Sequence, residues 1–270
     1  MASRWTMTDQ RLARAPLEVR RISVRDLLEV LTKGVDDFIS TPTQLLFLGI
    51  IYPVVGVLVA RAASGRELLP LLYPLVAGLS LMGPVAAIGI YELSRRRERG
   101  LPVSWLNAFD VLRSPSLPSI IMLGFVLLAI FGAWIAAAKG IYDMTLGSMF
   151  PLDSTEPETL GSFLERVLTT SAGWTLIILG NSVGFLFAVV VLTLTVVSFP
   201  LLLDRNVGVN VAVQTSIRAV KANPTPMTLW GLIVAGLLFV GCLPFFVGLA
   251  VVMPILGHST WHLYRKVVVT

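Results

Sequence analysis

Long apolar runs alternate along this chain with short polar, arginine-rich segments, and the length of each run decides what it can be. At 1.5 Å per residue, about 20 apolar residues cross a hydrocarbon layer of about 30 Å. The first run of that length reads from about Thr43 to Ala63 and the second from about Leu68 to Tyr91, with a tight turn centred on Ser64 and Gly65 between them. A third run spans about Leu117 to Ile141 and a fourth about Trp174 to Leu203. The last run, Met227 to Gly257, would make one helix of about 45 Å, too long for an ordinary crossing. Gly241-Cys242-Leu243-Pro244 supplies a break, so the run is read as two short spans, about 227–240 and 245–264; one kinked helix, making five spans with the C-terminus outside, is the alternative. The pattern predicts an all-α membrane protein with six transmembrane helices.

The segments between the runs have helical periodicity of their own. Val24, Leu27, Leu28, Leu31, Val35 and Phe38 recur at the spacing of one helix face, with Ser23 as N-cap and Asp26 three residues on. Trp105, Phe109 and Leu112 follow Ser104 in the same way, and Val213, Ile217 and Val220 follow Asn210. Each of these stretches leads to a proline (Pro42, Pro115, Pro224) that opens a pair of apolar runs. A second set, Pro84, Pro200 and Pro254, sits near the far end of each pair. The expected architecture is therefore three hairpin repeats, each preceded by a short cytoplasmic, interfacial amphipathic helix. Residues 1–21 form a polar tail, 22–100 the first repeat, 101–208 the second and 209–270 the third, within one membrane domain. The loop at 142–173 is acidic, and Leu160, Phe163, Leu164, Val167 and Leu168 within it predict a short surface helix.

Charge then orients the spans. With six crossings, seventeen of the 21 Lys and Arg residues fall on one side, leaving Arg61, Arg66, Lys139 and Arg166 for the other. The positive-inside rule puts both termini in the cytoplasm. The same excess accounts for a net charge of +5 without any nucleic-acid partner, and a mean hydropathy of +0.81 leaves the lipid bilayer as the expected environment. The one cysteine, Cys242, allows no intramolecular disulfide, and no cleavable signal peptide is visible.

Several stretches together carry a family resemblance: Arg21-Ile22-Ser23, Gly89 through Arg96, Val197 through Arg205, Ala222-Asn223-Pro224, and Gly257 through Arg265. They resemble the integral-membrane family known as domain of unknown function 2189, found mainly in proteobacteria. The resemblance implies a multi-pass protein of the bacterial inner membrane and assigns no activity.

Candidate chemistry is sparse. His258 and His262, at i and i+4, have the spacing at which two imidazoles share a metal, and Asp204 and Glu92 are the carboxylates that would complete a site. A headgroup-level anchor beside Trp261 and Tyr264 is the plainer reading of that pair. Glu92 has Arg95 three residues on and reads as a helix-end ion pair, while Asn181 is a polar position inside the fourth span. No nucleotide loop, paired nucleophile and base, or Cys/His cluster is present, so no catalytic residue and no cofactor is expected. The leading expectation is a non-catalytic scaffold or accessory subunit that partners other subunits of a membrane complex. A small-solute transporter or channel is the first alternative, and a haem- or metal-binding redox accessory protein the second.

Overall fold

A computed structural model describes residues 17–41, 54, 69–149, 159–244 and 246–269. Among them the secondary structure is helical apart from one isolated β-bridge. The helices are α1 (Val24–Ser40), α2 (Leu72–Leu81), α3 (Ile88–Glu98), a 3₁₀ helix (Trp105–Arg113), α4 (Leu117–Met144) and α5 (Leu160–Thr169). They continue with α6 (Ser171–Thr195), α7 (Ser198–Asp204), α8 (Val209–Ala222), α9 (Pro224–Cys242) and α10 (Leu249–Val267).

Among the described residues, three stretches are helical, long and apolar enough to cross a membrane: Leu117–Met149, Ser171–Asp204 and Pro224–Cys242. The expected first span, 43–63, lies outside the described residues, apart from residue 54. The expected second span is not one helix. It divides into α2, a single turn at Gly83–Ala86, and α3. Pro84 accounts for the interruption, because its ring lacks an N–H and collides with the carbonyl four residues back. The apolar run from Met227 forms two helices, α9 and α10, joined by turns through which Phe246 takes a positive φ of 65°. The expected sixth span corresponds to α10, which is not among the three apolar stretches.

The chain forms two compact units. Within the first, comprising the described residues of 1–49, 83–125 and 192–270, α1 lies along α10. Its buried positions are Leu27, Val30, Gly34 and Asp37, spaced three, four and three residues apart, which is one stripe of a helix. Of the expected apolar face, Val24, Leu28 and Val35 are exposed, so about half of that arc is left uncovered by protein. Gly34 permits the approach of α1 to α10. A Cβ there would overlap Ser259 Oγ and stand 2.8 Å from the Ser259 nitrogen and 2.9 Å from the Ile255 oxygen.

Local chemistry fixes the ends of these elements. Ser23 and Asp26 cap α1 reciprocally, side chain to backbone in both directions. Gly100 (φ +65°) closes α3, its N–H reaching the Arg97 oxygen while the Leu101 N–H reaches the Arg96 oxygen. Arg95, Arg96 and Arg97 in the last turn of α3 complement its dipole. Between α6 and α7 the Ser216 hydroxyl enters the break, donating to the Thr193 oxygen at 2.8 Å and accepting from the Val197 N–H at 3.3 Å. Gly208, not Asn210, occupies the N-cap of α8. Its buried side is Val211, Ala212, Thr215, Ser216 and Ala219, whereas Val213, Ile217 and Val220 are half-exposed.

The first unit is stitched at its termini. Val19 bridges Val268 in antiparallel fashion, with the Arg20 N–H on the Val267 oxygen at 2.7 Å and the Val269 N–H on the Glu18 oxygen at 3.0 Å. Asn223 holds the same segment, accepting from the Ile22 N–H at 2.7 Å and donating to the Arg20 oxygen at 2.9 Å.

The second unit comprises the described residues of 50–82 and 126–191. Trp134 Nε1 donates to the Pro74 oxygen at 2.8 Å, and its ring lies 5.7 Å from that of Phe187. The predicted helix at 160–169 is present as α5, with Phe163 buried beside Tyr142, Leu146 and Ala172 and with Leu160, Leu164 and Leu168 exposed. A shallow groove between α4 and α6 is lined by Val126, Ala129, Ile130, Ala133, Leu186, Phe187 and Val190, all apolar.

Candidate functional site

The polar residues of the first unit converge on one carboxylate. Asp37 belongs to the buried stripe of α1, so its side chain enters the space between α3 and α10. Its Oδ2 accepts from the Ser94 hydroxyl of α3 at 2.6 Å and from His262 Nε2 of α10 at 2.9 Å. Oδ1 faces Arg97 Nε at 3.1 Å. Burial pushes the Asp37 carboxyl up, but hydrogen bonds from His262 and Ser94 outweigh it and hold the group below the ordinary carboxylate range.

Ser94 Oγ also lies 2.7 Å from His258 Nδ1. A carboxylate only accepts, so the Ser94 proton is directed at Asp37, and the serine oxygen is left to accept from His258 Nδ1–H. His258 Nε2 then carries a bare lone pair. It is buried, with no hydrogen-bond partner among the described residues. A serine, a histidine and an aspartate in contact invite comparison with a nucleophile and its base. The proton order differs: a nucleophilic serine gives its proton to histidine, whereas here the imidazole donates and the hydroxyl is committed to the carboxylate. The arrangement is a cross-brace joining α1, α3 and α10.

The other candidate residues lie elsewhere. Glu92 pairs with Arg95 at 2.6 Å, the ion pair expected of it, although Glu92 is buried within α3 and not at its end, and Arg95 also donates to the Leu203 oxygen at 2.7 Å. Asp204 accepts from the Tyr264 hydroxyl at 2.8 Å and meets Arg99 at 3.2 Å and Arg265 at 3.5 Å. Glu98 adjoins this group, taking Trp261 Nε1 at 3.1 Å and Arg265 Nε at 2.9 Å. Asn181 belongs to the second unit, where its Oδ1 accepts from the Tyr73 hydroxyl at 2.8 Å. His258 and His262 thus come together with Asp37, not with Glu92 or Asp204. Among the described residues no group of three or more His, Cys, Asp or Glu is arranged to hold a metal ion.

Sequence reasoning missed Asp37, Ser94 and Arg97. The available signal was Asp37 itself, a carboxylate at the i, i+3, i+7, i+10 positions of a stripe otherwise made of Leu27, Val30 and Gly34. A charge on a buried stripe requires partners from the facing helices.

Neither the curated proteins nor the solved structures contain a significant match to this chain. The cross-brace draws on Ser94 and Arg97 inside the one stretch that does match, and on Asp37, His258 and His262 outside it. That stretch, residues 72–204, matches the family described as predicted integral membrane protein (DUF2189), and the protein is an integral membrane protein of unknown function.

Proposed function

We propose that the protein is a non-catalytic scaffold or accessory subunit of a membrane complex. The observation that carries this reading is the cross-brace. Its serine proton, both aspartate oxygens and the facing nitrogens of both histidines are spent on joining helices, leaving no nucleophile and base in reacting order. Outward-facing apolar positions on α1 (Val24, Leu28, Val35, Ile39) supply surface for neighbours. The proposal includes six spans in three hairpins, location in the bacterial inner membrane, and both termini in the cytoplasm, for which the distribution of Lys and Arg is the support.

Native mass spectrometry of the protein extracted gently from its own membranes tests the reading. Stoichiometric extra mass from other polypeptides is the expected result. A species that is always bare, with no partner in native membranes, overturns it. A small-solute transporter is the second reading, supported by the Tyr73–Asn181 hydrogen bond on exposed side chains of apolar helices. The wholly apolar groove between α4 and α6 weighs against a polar solute there.

A further inference from the structure

The 3₁₀ helix repeats every three residues, and its sequence has the same period. Trp105, Ala108 and Val111 form one ridge, of which Ala108 and Val111 are buried. Asn107, Asp110 and Arg113 form a second ridge that is entirely polar. Leu106, Phe109 and Leu112 form the third, and they are 57%, 51% and 66% exposed. Three large apolar side chains in line, each more than half uncovered, require an apolar neighbour.

The position of the element in the chain identifies that neighbour. Only Ser114, Pro115 and Ser116 separate Arg113 from α4, so the start of α4 lies at most about 14 Å away along an extended chain. α4 begins one of the three stretches able to cross a membrane, and Ile121, Met122 and Phe125 in its opening turns are exposed. The hydrocarbon boundary therefore falls close to the 3₁₀ helix. Charge selects the lipid. The Arg113 side chain is 88% exposed, and its nearest carboxylate oxygen, on Asp110, is 3.9 Å away.

We propose that the 3₁₀ helix is a bilayer-interface element: the Leu106–Phe109–Leu112 ridge enters the boundary between headgroups and acyl chains, and Arg113 engages the phosphates of anionic lipid. Interfacial helices of this kind sink about 5–10 Å into that boundary. Asn107 and Asp110 of the polar ridge remain toward water, held by Arg96 on Asp110 at 3.2 Å and by Asn107 on Asp110 at 2.8 Å, and Arg113 at the end of that ridge reaches the level of the headgroups.

The test uses the full chain with Cys242→Ser, reconstituted in vesicles of phosphatidylcholine with and without phosphatidylglycerol. Single cysteines at 106, 109, 112 and 113 carry spin labels, and their collisions with oxygen and with a water-soluble nickel chelate are compared. Labels at 106, 109 and 112 are expected to favour oxygen, and the label at 113 the nickel chelate. Equal exposure of all four to the chelate overturns the proposal. So does exclusion of both reagents from the ridge, which would place a protein surface over it. Separately, Arg113→Gln is expected to lower the preference for phosphatidylglycerol roughly fivefold in lipid-exchange measurements. An unchanged preference would remove the anionic-lipid part of the assignment.

Discussion

Asp37 takes donors from two other helices, and its loss would leave Ser94, His262 and Arg97 facing an empty acceptor position. Asp37→Asn keeps one acceptor but opposes an amide donor to one of the existing donors, which costs about 1–3 kcal/mol. Asp37→Ala removes both oxygens; Arg97 is 42% exposed and can turn to water, so the expected cost is that of the stranded Ser94 and His262 donors, about 1–3 kcal/mol for each. Thermal unfolding in detergent, read by the reactivity of Cys242, should rank wild type above Asn above Ala; equal midpoints would mean the brace contributes nothing. Gly34→Ala acts by sterics instead. The added methyl meets the Ser259 nitrogen and the Ile255 oxygen as well as the Ser259 hydroxyl. Ser259→Ala should therefore rescue it only in part, from an expected loss of about 1–3 kcal/mol. Full rescue by the double substitution would show that the backbone can yield.

At the scale of single elements, the capping box of α1 has its own pH signature. Hydrogen bonds from the Ser23 backbone and side chain, followed by that from Lys266, lower the Asp26 carboxyl from 3.8 to about 2. A depressed carboxylate pKa contributes stability that is complete above 3.8 and is lost as the pH falls through about 2. Amide protection at the start of α1 should accordingly persist to about pH 4 and fall over the next two units; protection that declines from pH 6 would contradict this assignment. Asn223→Ala is expected to release residues 17–22 to rapid hydrogen exchange while α8 and α9 keep their protection.

These elements also show what was legible in the sequence. The Ser23 cap, the break between α9 and α10, the helix at 160–169 and the Glu92–Arg95 pair all follow from neighbours within a few residues, and pattern alone located them. The part of α1 that faces protein was not legible, because its apolar arc is wider than the part it buries and hydrophobicity does not say which half that is. The continuity of 68–91 was overestimated because an apolar run says nothing of the carbonyl that Pro84 displaces. The cross-brace escaped for a different reason: Asp37 is separated from Ser94 by 57 residues and from His262 by 225, and only the fold brings them into reach.

Across the first unit as a whole, α10 is the common partner. Lys266 reaches Asp26 at 3.0 Å and Glu29 at 2.6 Å, Arg265 reaches Glu98 and Asp204, and Val267 and Val269 hold the amino-terminal segment. Truncation after Tyr264 should therefore loosen α1 and residues 17–22 together, as a single exchange unit, although none of those residues is altered. Separate loosening of the two would mean that the terminal stitch and the ion pairs act independently.

The stitch has a consequence for biosynthesis. Asp26 and Lys266 are separated by 240 residues, so α1 leaves the ribosome long before the helix that will cover it. At about 5–20 residues per second, that delay is roughly 12–50 s. Throughout it, Leu27 and Val30 have no protein neighbour on α10 and must be shielded by lipid or by a chaperone. A nascent chain stalled before residue 249 would present the same uncovered helix indefinitely, giving membrane quality control a mark by which to tell unfinished copies from finished ones.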